Sequence, residues 1–521
     1  MERSSGVLMH ITSLPGRGGI GKFGAEAVRF AGLLKDAGFA YWQVLPFTPV
    51  GEGFSPYMAF SAFAGAIALI DPEGLVQEGL LYPYELSIFE YHGGEYLTDY
   101  PFAYAKAMDM LQFAYLRIRP EHRMRMNAFV EANRHWLDDY SLFMALRDRF
   151  GGIPFWLWPD GALTRHEPDA IEAAMERERE KVDFWKFAQF IFYAQWEKTK
   201  EAINKLGIRM IGDMPIYVSM DSSDVWASPA LFQLNKDRTP RVVAGVPPDY
   251  FAAEGQLWGN PIYDWEAMEK DGYAWWISRI REALRWFDAI RIDHFRGFES
   301  YWEVDADATT AKGGRWRKGP AMKLFRKVAE EFGQANIIAE DLGDVTPEVR
   351  QFLTDSGYPG MKVLQFAFHH LKDSEHLPHH YERNCVAYTG THDNNTMLGW
   401  LWEASEEDRR FALEYCGYQG HEWGRGGPHS GSVRAILRAL WQSGAALAVV
   451  PIQDICGFGA DARMNVPGVG TGNWRFRITR AHLDEIPVDQ WRRFNQTFRR
   501  IQQAETAGHA DAAEAMEANV K

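Results

Sequence analysis

Cysteine is nearly absent from this 521-residue chain: Cys385, Cys416 and Cys456 are the full set, at no paired spacing. That excludes a disulfide framework and leads us to expect a reducing compartment, the cytoplasm. No run of about 18 apolar residues occurs, so no membrane-spanning helix is expected. The N-terminal "MERSSGVLMH" passes straight into a strand-like run, without the apolar core of a signal peptide. Basic residues are outnumbered, 56 Lys and Arg against 70 Asp and Glu, for a formal net charge of −14. This balance argues against a sequence-independent grip on nucleic acid and suits a neutral or cationic partner.

Apolar and aromatic residues are plentiful. Hydrophobic residues make up 46% of the chain and aromatics 14%, with 20 Trp. These rings could fill a large core or line a groove on which sugar faces stack, and composition does not choose between them.

Near the start, "GRGGIGKF" (16–23) partly matches two phosphate-binding patterns. The dinucleotide fingerprint requires an acid at the end of the next strand, but "YWQVLPF" (41–47) ends in Pro46 and Phe47. A phosphate loop requires a hydroxyl after Lys22, where Phe23 stands. The stretch therefore reads as a flexible βα-turn whose glycines let backbone approach a ligand.

Eight short runs look like buried strands: 6–11, 41–47, 208–213, 287–293, 336–341, 361–366, 385–391 and 446–452. Most are separated by helical periodicity, as in the helix through Val28, Ala31 and Leu34 that stops at Gly38, the helix after Thr346-Pro347 that ends at Gly357, and the helix carrying Val433, Ile436, Leu437 and Leu440. The pattern predicts an α/β fold, a (β/α)8 TIM barrel, with a doubly wound open sheet as the alternative. Large, mainly helical insertions are expected after strands 2 and 3. Residues 58–205 form a helical subdomain; residues 214–275 form a loop-rich insertion that carries the segment 245–258. The Ala/Glu-rich tail from 503 reads as a frayed helix.

Three predicted strands end in acids: "AIRIDHFRG" (289–297), "IIAEDLGD" (337–344) and "YTGTHDNNT" (388–396). In a (β/α)8 barrel those ends converge on one pocket. Strand alternation puts Arg291 and Asp293 on one face, and the arginine favours the ionised acid, as a nucleophile needs. Glu340 emerges from apolar surroundings that raise a carboxyl's pKa, as a general acid needs. Asp341 competes for that role, because alternation does not fix which of the two points inward. Asp393, beside His392, is the third acid. Carboxylates in unlike environments suit glycosidic chemistry: one attacks, one donates a proton, one holds the sugar.

At these residues the chain resembles glycoside hydrolase family 77, the 4-α-glucanotransferases called amylomaltase or disproportionating enzyme. The resemblance runs from about 5 to about 500. It rests on "SPYMAFSAFAG" (55–65), "IGDMPIYVSMDSSDVW" (211–226), "GVPPDYFAAEGQLWGNPIYDW" (245–265), "RIDHFRG" (291–297), "AEDLG" (339–343), "THDNNT" (391–396) and "MNVPGVGTGNWRFR" (464–477). It implies a (β/α)8 barrel with no cofactor and no metal. It implies Asp293 as nucleophile, Glu340 as acid/base and Asp393 as transition-state stabiliser. Implied sugar contacts are Ser55, Tyr57, Asp213, Gln256, Arg291, His294, His392 and Asn465. Trp258 would wall the acceptor side, and Tyr250 and Phe251 would cover the intermediate against water. The implied partners are maltooligosaccharides, amylose or glycogen-type α-1,4-glucans and glucose, with no nucleic acid and no membrane; a monomer is favoured.

Other readings compete. An α-glucan hydrolase or branching enzyme would share the acids, a non-catalytic glucan-binding protein would not need all three, and a nucleotide enzyme would use the glycine loop. The histidine-rich "HHLKDSEHLPHH" (369–380) could bind a metal but is charged and contains Pro378, so it reads as a solvated loop. Trp156 and Trp158 read as packing residues of the insertion.

Overall fold

The computed structural model describes residues 2–248, 253–343 and 345–501. Among these, twelve strands follow in chain order: β1 (Ser4–Leu8), β2 (Tyr41–Gln43), β3 (Arg209–Met214), β4 (Val242–Val246), β5 (Gln256–Pro261), β6 (Ala289–Ile292), β7 (Ser300–Asp305), β8 (Arg315–Lys318), β9 (Ile337–Ala339), β10 (Gly360–Val363), β11 (Cys385–Tyr388) and β12 (Leu447–Pro451). Eight of them form one parallel sheet in the order β10-β11-β12-β1-β2-β3-β6-β9. These are the eight runs expected from the sequence. Strands such as β1, β6, β11 and β12 are buried at every residue. Burial on both faces explains why they read as apolar runs rather than alternations. The sheet is that of a nearly closed (β/α)8 barrel.

The seam between β9 and β10 lacks a strand ladder and is closed by other means. The Ala339 N–H donates to the Pro359 carbonyl at 2.9 Å. Asp341 Oδ1 accepts the Met361 N–H at 2.6 Å. Gly360 leaves room for this carboxylate, since a Cβ there would sit 2.7 Å from Asp341 Oδ2. Asp341, the competitor of Glu340 in the sequence, is thus spent on holding the barrel shut.

Local signals fix the helix ends. Thr346 caps Pro347–Ser356, its hydroxyl accepting the Val349 N–H, and Gly357 ends the helix in the left-handed region at φ 70°. The helix Ala25–Asp36 is followed by Gly38 at φ +80°. The helix before β6 spans Ala274–Trp286, and Phe287 turns extended at its end.

Between β2 and β3 lie the long helices Pro120–Arg149 and Arg179–Lys205, with shorter ones around them. Their contact is built from rings: Trp136 stacks on Tyr193 at 5.8 Å, and Trp185 meets Tyr140 edge-on. Trp158 packs among Phe143 and Trp226, while Trp156 is half-buried against Phe155. Rings also join this region to the barrel, where Trp196 meets Phe23, Phe47 and Phe287 and its indole N–H donates to the Trp286 carbonyl. Most of the aromatic excess is therefore core.

A second, antiparallel sheet runs β5-β4-β7-β8. Half of it comes from the segment after β3 and half from an excursion after β6 that the sequence did not reveal. Its strand "RWRK" is exposed at every residue, so it has no apolar pattern to announce it.

The glycine loop departs from expectation. Its glycines admit the chain's own backbone: a Cβ on Gly21 would lie 1.9 Å from the Ile11 carbonyl oxygen. Lys22 is half-buried, its ammonium donates to the Ala68 carbonyl at 2.7 Å, and loss of water around it lowers its pKa to about 8. Arg477 donates to the Gly16 carbonyl, and Tyr91 N–H to that of Arg17.

The seam generates a prediction. Asp341→Ala leaves the Met361 N–H without its acceptor and lowers unfolding stability by about 1–3 kcal/mol in denaturant titrations, whereas Asp341→Asn, which keeps an oxygen there, loses less. Equal stability of the alanine variant and wild type would contradict this role.

Candidate active site

The site begins with strand register. Asp213 on β3 pairs with Arg291 on β6 across a parallel ladder, so both side chains leave the same face of the sheet. Arg291 Nη1 donates to both Asp213 carboxylate oxygens at 2.8 Å, and its Nη2 donates to Asp293 Oδ1 at 2.8 Å. Arg291 and Asp213 are buried, and Asp293 is more open, with 28% of its side chain exposed. Burial acts to raise the Asp213 carboxyl while the guanidinium opposes it. The same two carboxylates hold Arg291 firmly protonated against its burial.

Glu340 sits just beyond the end of β9. Its Oε2 accepts the N–H of His294 at 2.6 Å, and its Oε1 accepts that of Leu342 at 2.9 Å. Asp293 and Glu340, distant in sequence, are therefore tied through the backbone of the residue next to Asp293. The tie depends on His294 adopting a left-handed conformation, φ 52° and ψ 45°, unusual for a non-glycine residue. Burial pushes Glu340 up to about 8, with Arg291 pulling down and Asp293 pushing up. His294 is lowered to about 4 by burial and is neutral at physiological pH. Its ring meets Trp258 edge-on at 4.9 Å, and the Trp258 N–H donates to Gln256 Oε1 at 3.2 Å.

A hydrogen-bonded chain leads from the arginine to the third acid. The Tyr57 hydroxyl donates to Asp213 Oδ2 at 2.7 Å and lies 2.9 Å from His392 Nε2. With the tyrosine proton committed to Asp213, His392 is assigned as donor to the tyrosine oxygen. The two rings stack at 5.3 Å. His392 Nε2 is 3.3 Å from Asp393 Oδ1, which also accepts from Asn465 Nδ2 at 2.6 Å. The Asp393 side chain is 42% exposed, the most open of the three acids.

The structure thus brings together Asp293, Glu340, Asp393, Tyr57, Asp213, Arg291, His294, His392, Asn465 and Trp258, with Gln256 attached through Trp258. Ser55 acts locally, its hydroxyl accepting the Tyr57 N–H at 3.3 Å. Tyr250 and Phe251 lie outside the described residues. Two contributors went unread in the sequence. Arg463 donates to the carbonyls of both Asp393 and Asn465, at 2.6 and 2.7 Å. Trp474 packs on Tyr57 and His392. Neither follows a strand; the nearest signal is their place in or beside "MNVPGVGTGNW".

Two groups could hold a metal ion among the described residues, His369/His370/Asp408 and Asp373/His379/His380. The first is half-buried at His369 and Asp408 and the second is exposed throughout, and their members engage one another or a neighbour: His370 with Asp408, His380 with Asp373, and His379 with Tyr415. His376 of the same loop turns inward to accept the Val363 N–H.

Comparison with known proteins shows the family of the chain. The family model described as 4-alpha-glucanotransferase, glycoside hydrolase family 77, matches residues 9–483. A 4-alpha-glucanotransferase from Thermus thermophilus is 45% identical over 490 residues, 93% of this chain and 96% of the relative. Another from Clostridium butyricum is 43% identical over 474 residues, 90% and 95% of the two chains. Among solved structures, the amylomaltase from Streptococcus agalactiae in complex with acarbose superposes with a TM-score of 0.92 at 36% identity, covering 96% of this chain and all of that one.

The buried Glu340 carboxyl makes a stability prediction. A carboxyl whose pKa is raised by folding contributes stability that is present at low pH and lost as pH climbs towards the folded value. Between the ordinary glutamate range and about 8, wild type therefore loses stability that Glu340→Gln retains. Denaturant titrations across pH 4.5–8.5 should show the variant gaining steadily on wild type, then levelling off. A pH-independent difference would contradict the desolvated acid.

Proposed function

The chain belongs to glycoside hydrolase family 77, the 4-α-glucanotransferases, and from that premise we propose that Asp293, Glu340 and Asp393 carry out a retaining double displacement. An Asp293 carboxylate oxygen attacks the anomeric carbon of an α-1,4-linked glucose. The bond to the leaving 4-oxygen breaks as Glu340 gives that oxygen its proton, leaving a covalent glucosyl-enzyme. The 4-hydroxyl of an incoming glucose or glucan then attacks the same carbon. It loses its proton to Glu340, and the bond to Asp293 breaks. Two inversions retain the α configuration.

The contrast between the two acids carries this reading. Asp293 Oδ1 is held at 2.8 Å by the Arg291 guanidinium, a permanent positive charge beside the attacking group. Glu340 is buried and pushed up to about 8, so it holds a proton to donate at neutral pH. Asp393, held through Asn465, is placed in the role of gripping the distorted sugar through its hydroxyls. Tyr57, Asp213, His294 and His392 complete the ring's surroundings, and Trp258 forms the wall on the acceptor side.

Donors and acceptors on this reading run from maltooligosaccharides to amylose or glycogen, with glucose as the smallest acceptor. Three free cysteines support the cytoplasm as the compartment. No helix among the described residues is long and apolar enough to cross a membrane.

Incubation with maltotriose tests the proposal. Wild type should yield glucose and a ladder of longer maltooligosaccharides with little net gain in reducing ends. Glu340→Gln should slow transfer by about 10²–10⁴-fold. An α-glucosyl fluoride, whose leaving group needs no proton, should still glycosylate Asp293 in that variant, detectable by peptide mass spectrometry. A label on a different residue, or an active Asp293→Asn enzyme, would overturn the assignment.

A further inference from the structure

Most rings of this protein are buried, but the short helical turn Pro83–Phe89 presents two that are not. Tyr84 is 72% exposed, the highest value for any aromatic side chain among the described residues, and Tyr82 is 51% exposed. The rings are nearly parallel, with centroids 5.5 Å apart and an interplanar angle of 11°. Arg117 lies over the Tyr82 ring at 4.5 Å.

The arrangement is rigidly held. Arg117 grips the buried Glu85 with two hydrogen bonds of 2.6 and 2.7 Å, and Glu85 Oε2 also accepts the Tyr82 N–H at 2.8 Å. Ser87 Oγ donates to the Tyr84 carbonyl at 2.9 Å. The turn is anchored at both ends by buried Leu81 and Phe89. Such fixed rings lose little conformational freedom on binding, which removes a main cost of association.

We propose that Tyr82 and Tyr84 form a surface platform for an α-1,4-glucan chain, separate from the site where the chain is cut and rejoined. The inference rests on the glucanotransferase activity. A polymeric substrate extends well beyond the few sugars held around Asp293, and its remaining length trails over the protein. Glucose rings have apolar C–H faces suited to an exposed aromatic face and need no charge, in keeping with a net charge of −14. The tyrosine hydroxyls supply donors and acceptors for sugar hydroxyls beside the rings. Pro83, Ser87 and Ile88 are exposed beside the rings, while Glu85 is buried. The turn leads directly to Tyr91, whose N–H is bonded to the loop after β1. That loop leaves the end of the barrel at which the three acids stand.

The test compares short and long substrates. Tyr84→Ala should leave maltotriose kinetics within about twofold of wild type and raise KM for soluble amylose about three- to tenfold, the worth of one aromatic stacking contact. In the Asp293→Asn background, which does not digest the matrix, the same substitution should reduce retardation in native gels containing amylose or glycogen. Tyr84→Trp should keep or strengthen retardation, because the flat face rather than the hydroxyl does the binding. Unchanged amylose KM and gel mobility in Tyr84→Ala would overturn the proposal. So would an equal loss on maltotriose and amylose, which would mean damage to the active site instead.

Discussion

One buried guanidinium organises this protein's chemistry. Arg291 faces Asp213 because β3 and β6 are in a single fixed register, and it reaches Asp293 because the chain continues two residues past it on the same face. A cation so placed is tolerated only because two carboxylates surround it, and the carboxylates are tolerated only because of the cation. From this group the rest is reached by contact. Asp213 holds Tyr57, Tyr57 holds His392, and His392 lies against Asp393. Segments far apart in sequence are thereby drawn into one connected cluster.

The same fold gives its acids opposite characters. Asp293 has a permanent positive partner and a partly open side chain. Glu340 is taken out of water, and its direct partners among the described residues are the backbone N–H groups of His294 and Leu342. Neither property belongs to the residue type; each is created by what stands within a few ångströms. The neighbouring Asp341 shows how fine the division is, since one step along the chain turns a candidate acid into a clasp between strands.

Much of this was legible in the sequence, for definite reasons. Barrel strands buried on both faces are written as Val- and Ile-rich runs, and the acids stand where those runs stop. Asp293 could be paired with Arg291 because period-two alternation is strictly local. What could not be read depends on contacts between distant segments. The choice between Glu340 and Asp341 is settled by Met361, some twenty residues on. Arg463 donates to main-chain carbonyls, which leave no trace in residue identity. The strand "RWRK" is solvated, so no apolar pattern marks it. The glycine loop misled in another way: glycines permit close approach without saying what approaches, and here it is the protein's own backbone.

The gap in the strand ladder between β9 and β10 falls directly beside Glu340. A barrel loosens first where its hydrogen bonding is thinnest. On warming, small openings at that gap would displace Glu340 while the remaining staves still hold.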